Sequence, residues 1–168
     1  SDCHSVALVS AEGSIDWLCF PRFDSPSIFG RILDASAGYW SIRPTEEAQL
    51  TRRYVDTTMV LETKFTTPKG TALLCDALGL GSNQRGHDLG AETPHALLRT
   101  ITCTQGEVEM DIEYAPKPEF GIVLPLLKSL EGGVSGRGSS AVLFLSSPIE
   151  MTVEQSVARA TVLLDAGK

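Results

Sequence analysis

Residues 107–114, EVEMDIEY, alternate without a break between acidic and apolar side chains. A run of period two has one economical conformation. An extended strand puts Val108, Met110, Ile112 and Tyr114 on one face and Glu107, Glu109, Asp111 and Glu113 on the other, whereas a helix would smear both sets around its circumference. The run predicts a strand with one buried face, and its acidic comb reads as a solvated sheet surface rather than a cation site.

The same short period recurs along the chain. SVALVS, SIDWLC, GYWSIR, MVLETKFT, TALLCDAL, HALLRTIT, SSAVLFLS, IEMTV and ARATVLL are further strand candidates, separated by AEGS, TPKG, TQGE and EGGVSGRG. Glycine at or near the end of each of these turns supplies the positive φ that tight reversals require. About ten short strands with turn signals between them predict an all-β fold, an antiparallel β-sandwich, rather than a parallel α/β sheet. One short helix is expected in SPSIFGRILD, where Ser25 caps, Pro26 suits the first position, and Ile28, Phe29, Ile32 and Leu33 form a stripe. The stretch from Gly79 to Glu92 is rich in glycine and polar residues and predicts a long irregular loop.

The chain of 168 residues fits a single domain, residues 1–168, large enough to bury roughly two-thirds of its unfolded surface without disulfide staples. A formal net charge of −7 and the lack of any Lys/Arg block argue against nucleic acid as a partner. No apolar run approaches the length of a membrane span, and no charged-then-apolar leader precedes the first strand, so the expected location is the cytoplasm. Cys3, Cys19, Cys75 and Cys103 each adjoin apolar runs and fit reduced thiols. Cys3, His4 and Cys19 lack regular metal-ligand spacing, so no metal or other cofactor is expected. A Cys3–Cys19 pair across a hairpin stays open.

The densest stretch is GSIDWLCFPRFDSPSIFG, residues 13–30. Strict alternation puts Ile15, Trp17 and Cys19 on one face and Asp16, Leu18 and Phe20 on the other, so both faces carry bulky apolar groups and both need a cover. One cover is the core; the other is a second body, with Arg22, Phe23 and Asp24 at its edge. Asp16 and Asp24 are the carboxylates set among aromatics, and Trp17, Phe20 and Phe23 offer faces to a sugar. Closely spaced strand and turn positions nevertheless give them no cleft to work across, so no catalytic residue is expected. Asp16 instead has turn amides to satisfy, Asp24 an Asx-turn to form or the helix beginning at Pro26 to cap, and Arg22 either carboxylate as a partner. Trp17 reads equally as core or as domain surface.

Taken together, DCHSVALVSAEGSIDWLCFPRFDSPSIFGRILD, GYWSIRP, RRYVDTTMVLETKFTTPKG and YAPKPEFG resemble the N-terminal, trehalase-like domain of bacterial family 15 glycoside hydrolases, the glucoamylase-like and trehalase-like proteins. Departures are small: Glu12 stands where Asp is commoner, and Lys117, Glu119 and Phe120 replace what is often Arg, Asp and Tyr. The resemblance implies a β-sandwich of the super-sandwich type that precedes a catalytic (α/α)6 barrel. It also implies inverting hydrolysis of an α-glucoside such as trehalose or a malto-oligosaccharide, by two Glu residues of that barrel. On this reading the chain is a non-catalytic domain, inactive alone, whose partner is the C-terminal barrel. Asp16, Trp17, Leu18, Phe20, Arg22, Phe23 and Asp24 then form a substrate or domain interface. The rival readings are a stand-alone carbohydrate-binding module and an oligomerisation module, and a face containing Leu18 and Phe20 is expected to self-associate when uncovered.

Overall fold

A computed structural model describes residues 2–167. Thirteen strands and one helical turn of α-type follow one another: β1 (Ala7–Val9), β2 (Ser14–Cys19), β3 (Ser27–Phe29), β4 (Tyr39–Pro44), β5 (Gln49–Tyr54), β6 (Leu61–Thr66), β7 (Gly70–Leu78), β8 (Leu97–Ala115), α1 (Pro118–Gly121), β9 (Leu126–Leu130), β10 (Gly133–Gly138), β11 (Ala141–Ser146), β12 (Thr152–Glu154) and β13 (Val157–Asp165). Every pairing is antiparallel, giving an all-β, sandwich-like fold.

Strand β8 organises it. Its first half pairs with β7, which leads on to β6 and β5, while its second half lies between β4 and β13. The change falls at TQGE, which is therefore not a reversal. Gln105 faces Thr71 while Cys103 faces Ala72, so Thr104 is an extra residue, and Gly106 takes a left-handed φ of 65°. A bulge of this kind bends and twists a strand without ending it, so one 19-residue strand serves two sheets. The sheet curls far enough for Arg52 of β5 to donate to the Val9 carbonyl of β1 at 3.0 Å. A separate three-stranded sheet, β11-β10-β9, completes the enclosure.

One core fills the interior. Ile15, Leu18, Phe29, Ile42, Phe65, Leu74, Met110, Ile112, Leu127, Val134 and Leu145 join it from every part of the chain. The alternation along EVEMDIEY holds residue by residue, with Val108, Met110, Ile112 and Tyr114 buried. Between β1 and β2 the AEGS turn forms as expected, with Gly13 at φ 82°. A side chain there would also collide with the Ile42 carbonyl and the Phe65 ring, so the turn is pressed against the inner side of β4 and β6.

Two further expectations need correction. SPSIFGRILD is not a helix: Ser27, Ile28 and Phe29 are consecutive buried residues in a strand against β2, and turns follow from Gly30. Its stripe is split, with Ile28 and Phe29 in the core and Ile32 and Leu33 in solvent. The single helical turn lies instead in YAPKPEFG, where Glu119 and Phe120 are left-handed. In EGGVSGRG only Glu131 and Gly132 turn, and Gly133–Gly138 is strand β10, whose small residues let neighbours approach closely. The segment 79–96 is irregular apart from a 3-10 turn at Gly86–Asp88.

Candidate functional site

The 13–30 segment does not follow strict alternation, and the reason is a bulge. Trp17 faces Leu8 and Ile15 faces Val9, so Asp16 is an extra residue on β2. The insertion reverses the side-chain sense between Ile15 and Trp17. Ile15 and Leu18 thus both enter the core, and Trp17 turns outward. Its ring lies 6.3 Å from that of Phe120. Asp16 accepts the Ser14 hydroxyl at 2.6 Å, and its carbonyl accepts the Ile32 amide.

The seven residues singled out above separate into three places. Asp16 and Trp17 sit beside the 30–38 turns and α1. Leu18, only 3% exposed, is sealed in the domain's own core, and Phe20 packs partly against it with its ring edge-on to His95 at 6.3 Å. Leu18 is therefore no part of a free face, because the bulge turns it into the core, and Phe20 is half-buried beside His95. Arg22, Phe23 and Asp24 stand in solvent beyond the far end of β2, with Arg22 Nε 2.9 Å from Asp24. That hydrogen bond, ahead of the charge attraction, holds the Asp24 carboxyl below its usual range. Asp16 and Asp24 thus have separate local partners and share no cleft. Two surface grooves, of about 510 and 240 Å³, are lined by other residues, around Arg53 and Lys64 and around Lys69 and Glu107. Among the described residues no three His, Cys, Asp or Glu side chains converge as metal ligands, and Cys19, Cys75 and Cys103 are thiols.

Around Trp17 the chain builds an apolar surface. Backbone hydrogen bonds join Ile32 to Asp16 and Lys117 to Ile28, and Gly121 lies so close to Ala37 that a Cβ there would be 2.5 Å from the alanine methyl. The 30–38 turns and α1 are thereby held against β2 and β3. They carry Ile32 (57% exposed), Leu33 (60%), Phe120 (46%) and Ile122 (81%), of which Phe120 stacks beside Trp17 and Ile32 is tied by its amide to Asp16.

The comb on β8 is finished differently. Arg159 of β13 pairs with Glu113 at 2.9 Å, the Tyr39 hydroxyl reaches the same carboxylate at 2.8 Å, Thr161 bonds Asp111, and Thr45 bonds Glu109. Arg43 stands opposite Asp111 in the ladder. This face is laced rather than merely solvated.

Beneath both lies a buried ion pair that the sequence reading missed. Asp76 and Arg99 face each other across β7 and β8, and their side chains are 4% and 0% exposed. The guanidinium contacts Asp76 at 2.7 Å and donates to the carbonyls of Trp40 and Gly13 at 2.6 Å each. Burial pulls the Arg99 pKa down and Asp76 opposes it. Its trace in the sequence is a single charge in each of two otherwise apolar runs, TALLCDAL and HALLRTIT, at inward-facing positions. The pair ties the Gly13 turn, and with it the bulge that aims Trp17, to the two central strands.

The family model described as "Trehalase-like, N-terminal" matches residues 1–167. The trehalase of Mycolicibacterium smegmatis is 38% identical over 130 residues, 71% of this chain and 20% of that protein. Trehalase 1 of Sulfolobus acidocaldarius is 32% identical over 122 residues, covering 73% and 19%. The trehalase of Thermoplasma volcanium is 41% identical over 132 residues, covering 77% and 20%. The chain spans about a fifth of the length of these relatives. No solved structure matches it.

Proposed function

The chain belongs to the trehalase-like N-terminal family, and we propose that it is the non-catalytic N-terminal domain of an α-glucoside hydrolase, acting by packing on the catalytic part of the same polypeptide and stabilising it. The observation that carries this is the set of exposed apolar side chains Ile32, Leu33, Phe120 and Ile122 on the turns beside half-buried Trp17, on a domain whose own core is built without them. Exposed apolar surface of this kind marks an interaction site. The relatives' further four-fifths supplies an occupant in cis.

The chemistry points the same way. Inverting glycoside hydrolysis needs an acid and a base about 6.5–9.5 Å apart across a sugar-sized cleft. Asp16, within β2, is bonded by Ser14, and Asp24, beyond the end of β2, by Arg22, so each carboxylate is taken up by a local partner. The acid and base then belong to the catalytic part, of (α/α)6 type in a family 15 enzyme, with trehalose the first substrate to test and maltose the glucoamylase-type alternative. Arg22, Phe23 and Asp24, the exposed tip beyond β2, form the edge of the contact, with any reach toward substrate limited to this loop. The thiols of Cys19, Cys75 and Cys103 suit a cytoplasmic enzyme, and no helix among the described residues is long and apolar enough to cross a membrane.

In the full-length polypeptide, Phe120→Asp and Ile32→Asp are expected to lower both the melting temperature and trehalose turnover, with Trp17→Ala and Arg22→Ala acting in the same direction. Glu109→Ala is the control, expected to leave both near wild type. The 168-residue chain alone should give no hydrolysis of trehalose, maltose or starch above a buffer blank. Turnover by the chain that disappears in Asp16→Asn or Asp24→Asn contradicts the proposal. Saturable calorimetric binding of trehalose or maltotriose to the chain, lost in Trp17→Ala, would make it a carbohydrate-binding module instead.

A further inference from the structure

The outer edge of the small sheet is an unprotected strand. β11, Ala141–Ser146, pairs with β10 on one side and, among the described residues, with no strand on the other. Strand edges are ordinarily blunted by brevity, by charge or by a cover. Other edges here use those devices: β1, β3 and β12 have three residues each, β5 carries Arg52 and Arg53, the former bridging to β1, and β9 carries Lys128. β11 has six residues, AVLFLS, with neither charge nor proline.

Its hydrogen-bonding sense is fixed by the two-residue turn at Ser139 and Ser140. The closing pair of such a hairpin, Gly138 with Ala141, is hydrogen bonded, so Gly136/Leu143 and Val134/Leu145 are too. The Ser147 amide donating to the Gly132 carbonyl at 3.0 Å continues the same series. Val142, Phe144 and Ser146 therefore turn their N–H and C=O groups away from β10, toward the open edge. On the solvent face, Val142 and Phe144 are 55% and 75% exposed, and Leu126, across β10 from Val142, is 66% exposed.

We infer that β11 is a self-association edge, on which a second copy of this chain adds its own β11 antiparallel about a two-fold axis near Phe144, giving one continuous six-stranded sheet. Antiparallel pairing of identical strands is self-complementary, so the edge needs no foreign sequence to fill it. An uncharged strand also places no like charges opposite each other when it meets itself. Two copies joined this way bury about 1,000 Å², the low end for a specific contact, so the dimer is expected to form at ~10–100 μM rather than nanomolar concentration. The chain's net charge of −7 opposes association, and salt should favour the dimer by screening it. This contact is separate from the Trp17–Phe120 surface and does not depend on the function proposed for it.

Sedimentation velocity on the 168-residue chain from ~5 to ~200 μM tests it. Wild type should shift from monomer to dimer with concentration, and further at high salt. Phe144→Lys and Val142→Lys should stay monomeric throughout with unchanged circular dichroism, whereas Phe120→Lys should still dimerise. In a Cys3→Ser background, Phe144→Cys should oxidise to a covalent dimer. A wild-type chain that remains monomeric at the highest concentration overturns the inference. So does a dimer that survives both lysine variants, or one that Phe120→Lys abolishes.

Discussion

Trp17 and Glu113 lie on the same outer side of one sheet, two strands apart, and their surroundings could hardly differ more. Ser14 pairs with Ser41 and Ser41 with Glu113 in the ladder, which fixes them on a shared face. Around Glu113 the carboxylates of Glu109, Asp111 and Glu113 have each found an arginine, a tyrosine or a threonine on or just beyond the neighbouring strand. Around Trp17, Phe120 brings its ring to 6.3 Å, and the side chains of Ile32, Leu33, Phe120 and Ile122 are largely open to water. Polar groups that satisfy one another across strands finish a surface, whereas apolar groups need something placed on top of them. The first region is therefore complete in this domain, and the second is the one that the proposed function has the rest of the polypeptide complete.

The largest expected effect strikes the support common to both regions. Asp76→Ala leaves Arg99 buried without its counter-charge, and removing one partner of a buried pair costs about 3–5 kcal/mol. Because Arg99 also holds the carbonyls of Gly13 and Trp40, urea unfolding of this variant should show the loss and hydrogen exchange should show both β2 and β4 loosened. A loss below ~1 kcal/mol would mean that the pair does not hold the two regions together.

Next comes the contrast itself. Phe120→Ser or Ile32→Ser should change the stability of the chain alone by no more than about 0.5 kcal/mol, as for ordinary exposed sites. In the full-length polypeptide the same substitutions should each cost about 1–3 kcal/mol of burial. Equal effects in the two settings would erase the distinction between the regions. Glu113→Ala should do the opposite, costing about 1 kcal/mol in the chain alone through its lost hydrogen bonds, with no further loss in the longer protein.

The smallest effect is a dependence on pH. Burial pushes the Glu113 carboxyl up, but the Arg159 and Tyr39 hydrogen bonds outweigh it and leave the group below its ordinary value of 4.5. A depressed carboxylate contributes stability that is fully present above the unfolded value and is lost as pH falls through the folded one. Wild type should therefore lose stability below about pH 4.5 more steeply than Glu113→Gln in paired urea titrations. Parallel curves would show that the comb is not laced as described.

What could be read in advance divides along the same line as the two regions. The comb and the AEGS hairpin were legible because each is written in consecutive residues. The SPSIFGRILD strand was not, since Ile28, Phe29, Ile32 and Leu33 have helical spacing and only the groove beside β2 decides that Ile28 and Phe29 enter the core while the other two do not. The Asp16 bulge left no local mark either. Its one-residue shift put Leu18 inside and Trp17 outside, so a segment correctly read as having two apolar sides was assigned the wrong residues on its outer one. Strand β10 was hidden by glycines that resemble a turn, and the Asp76–Arg99 pair by a separation of 23 residues.

The central claim, that the Trp17–Phe120 surface is the docking face of a trehalase-type enzyme, is tested most directly by amide hydrogen exchange on the chain alone and within the full-length polypeptide. The account predicts that peptides covering residues 30–38 and 117–124 gain protection in the longer protein, while the β4–β8–β13 ladder around Glu113 exchanges equally in both. Protection gained over Glu109, Asp111 and Glu113 instead, or no gain at 30–38 and 117–124, would contradict it.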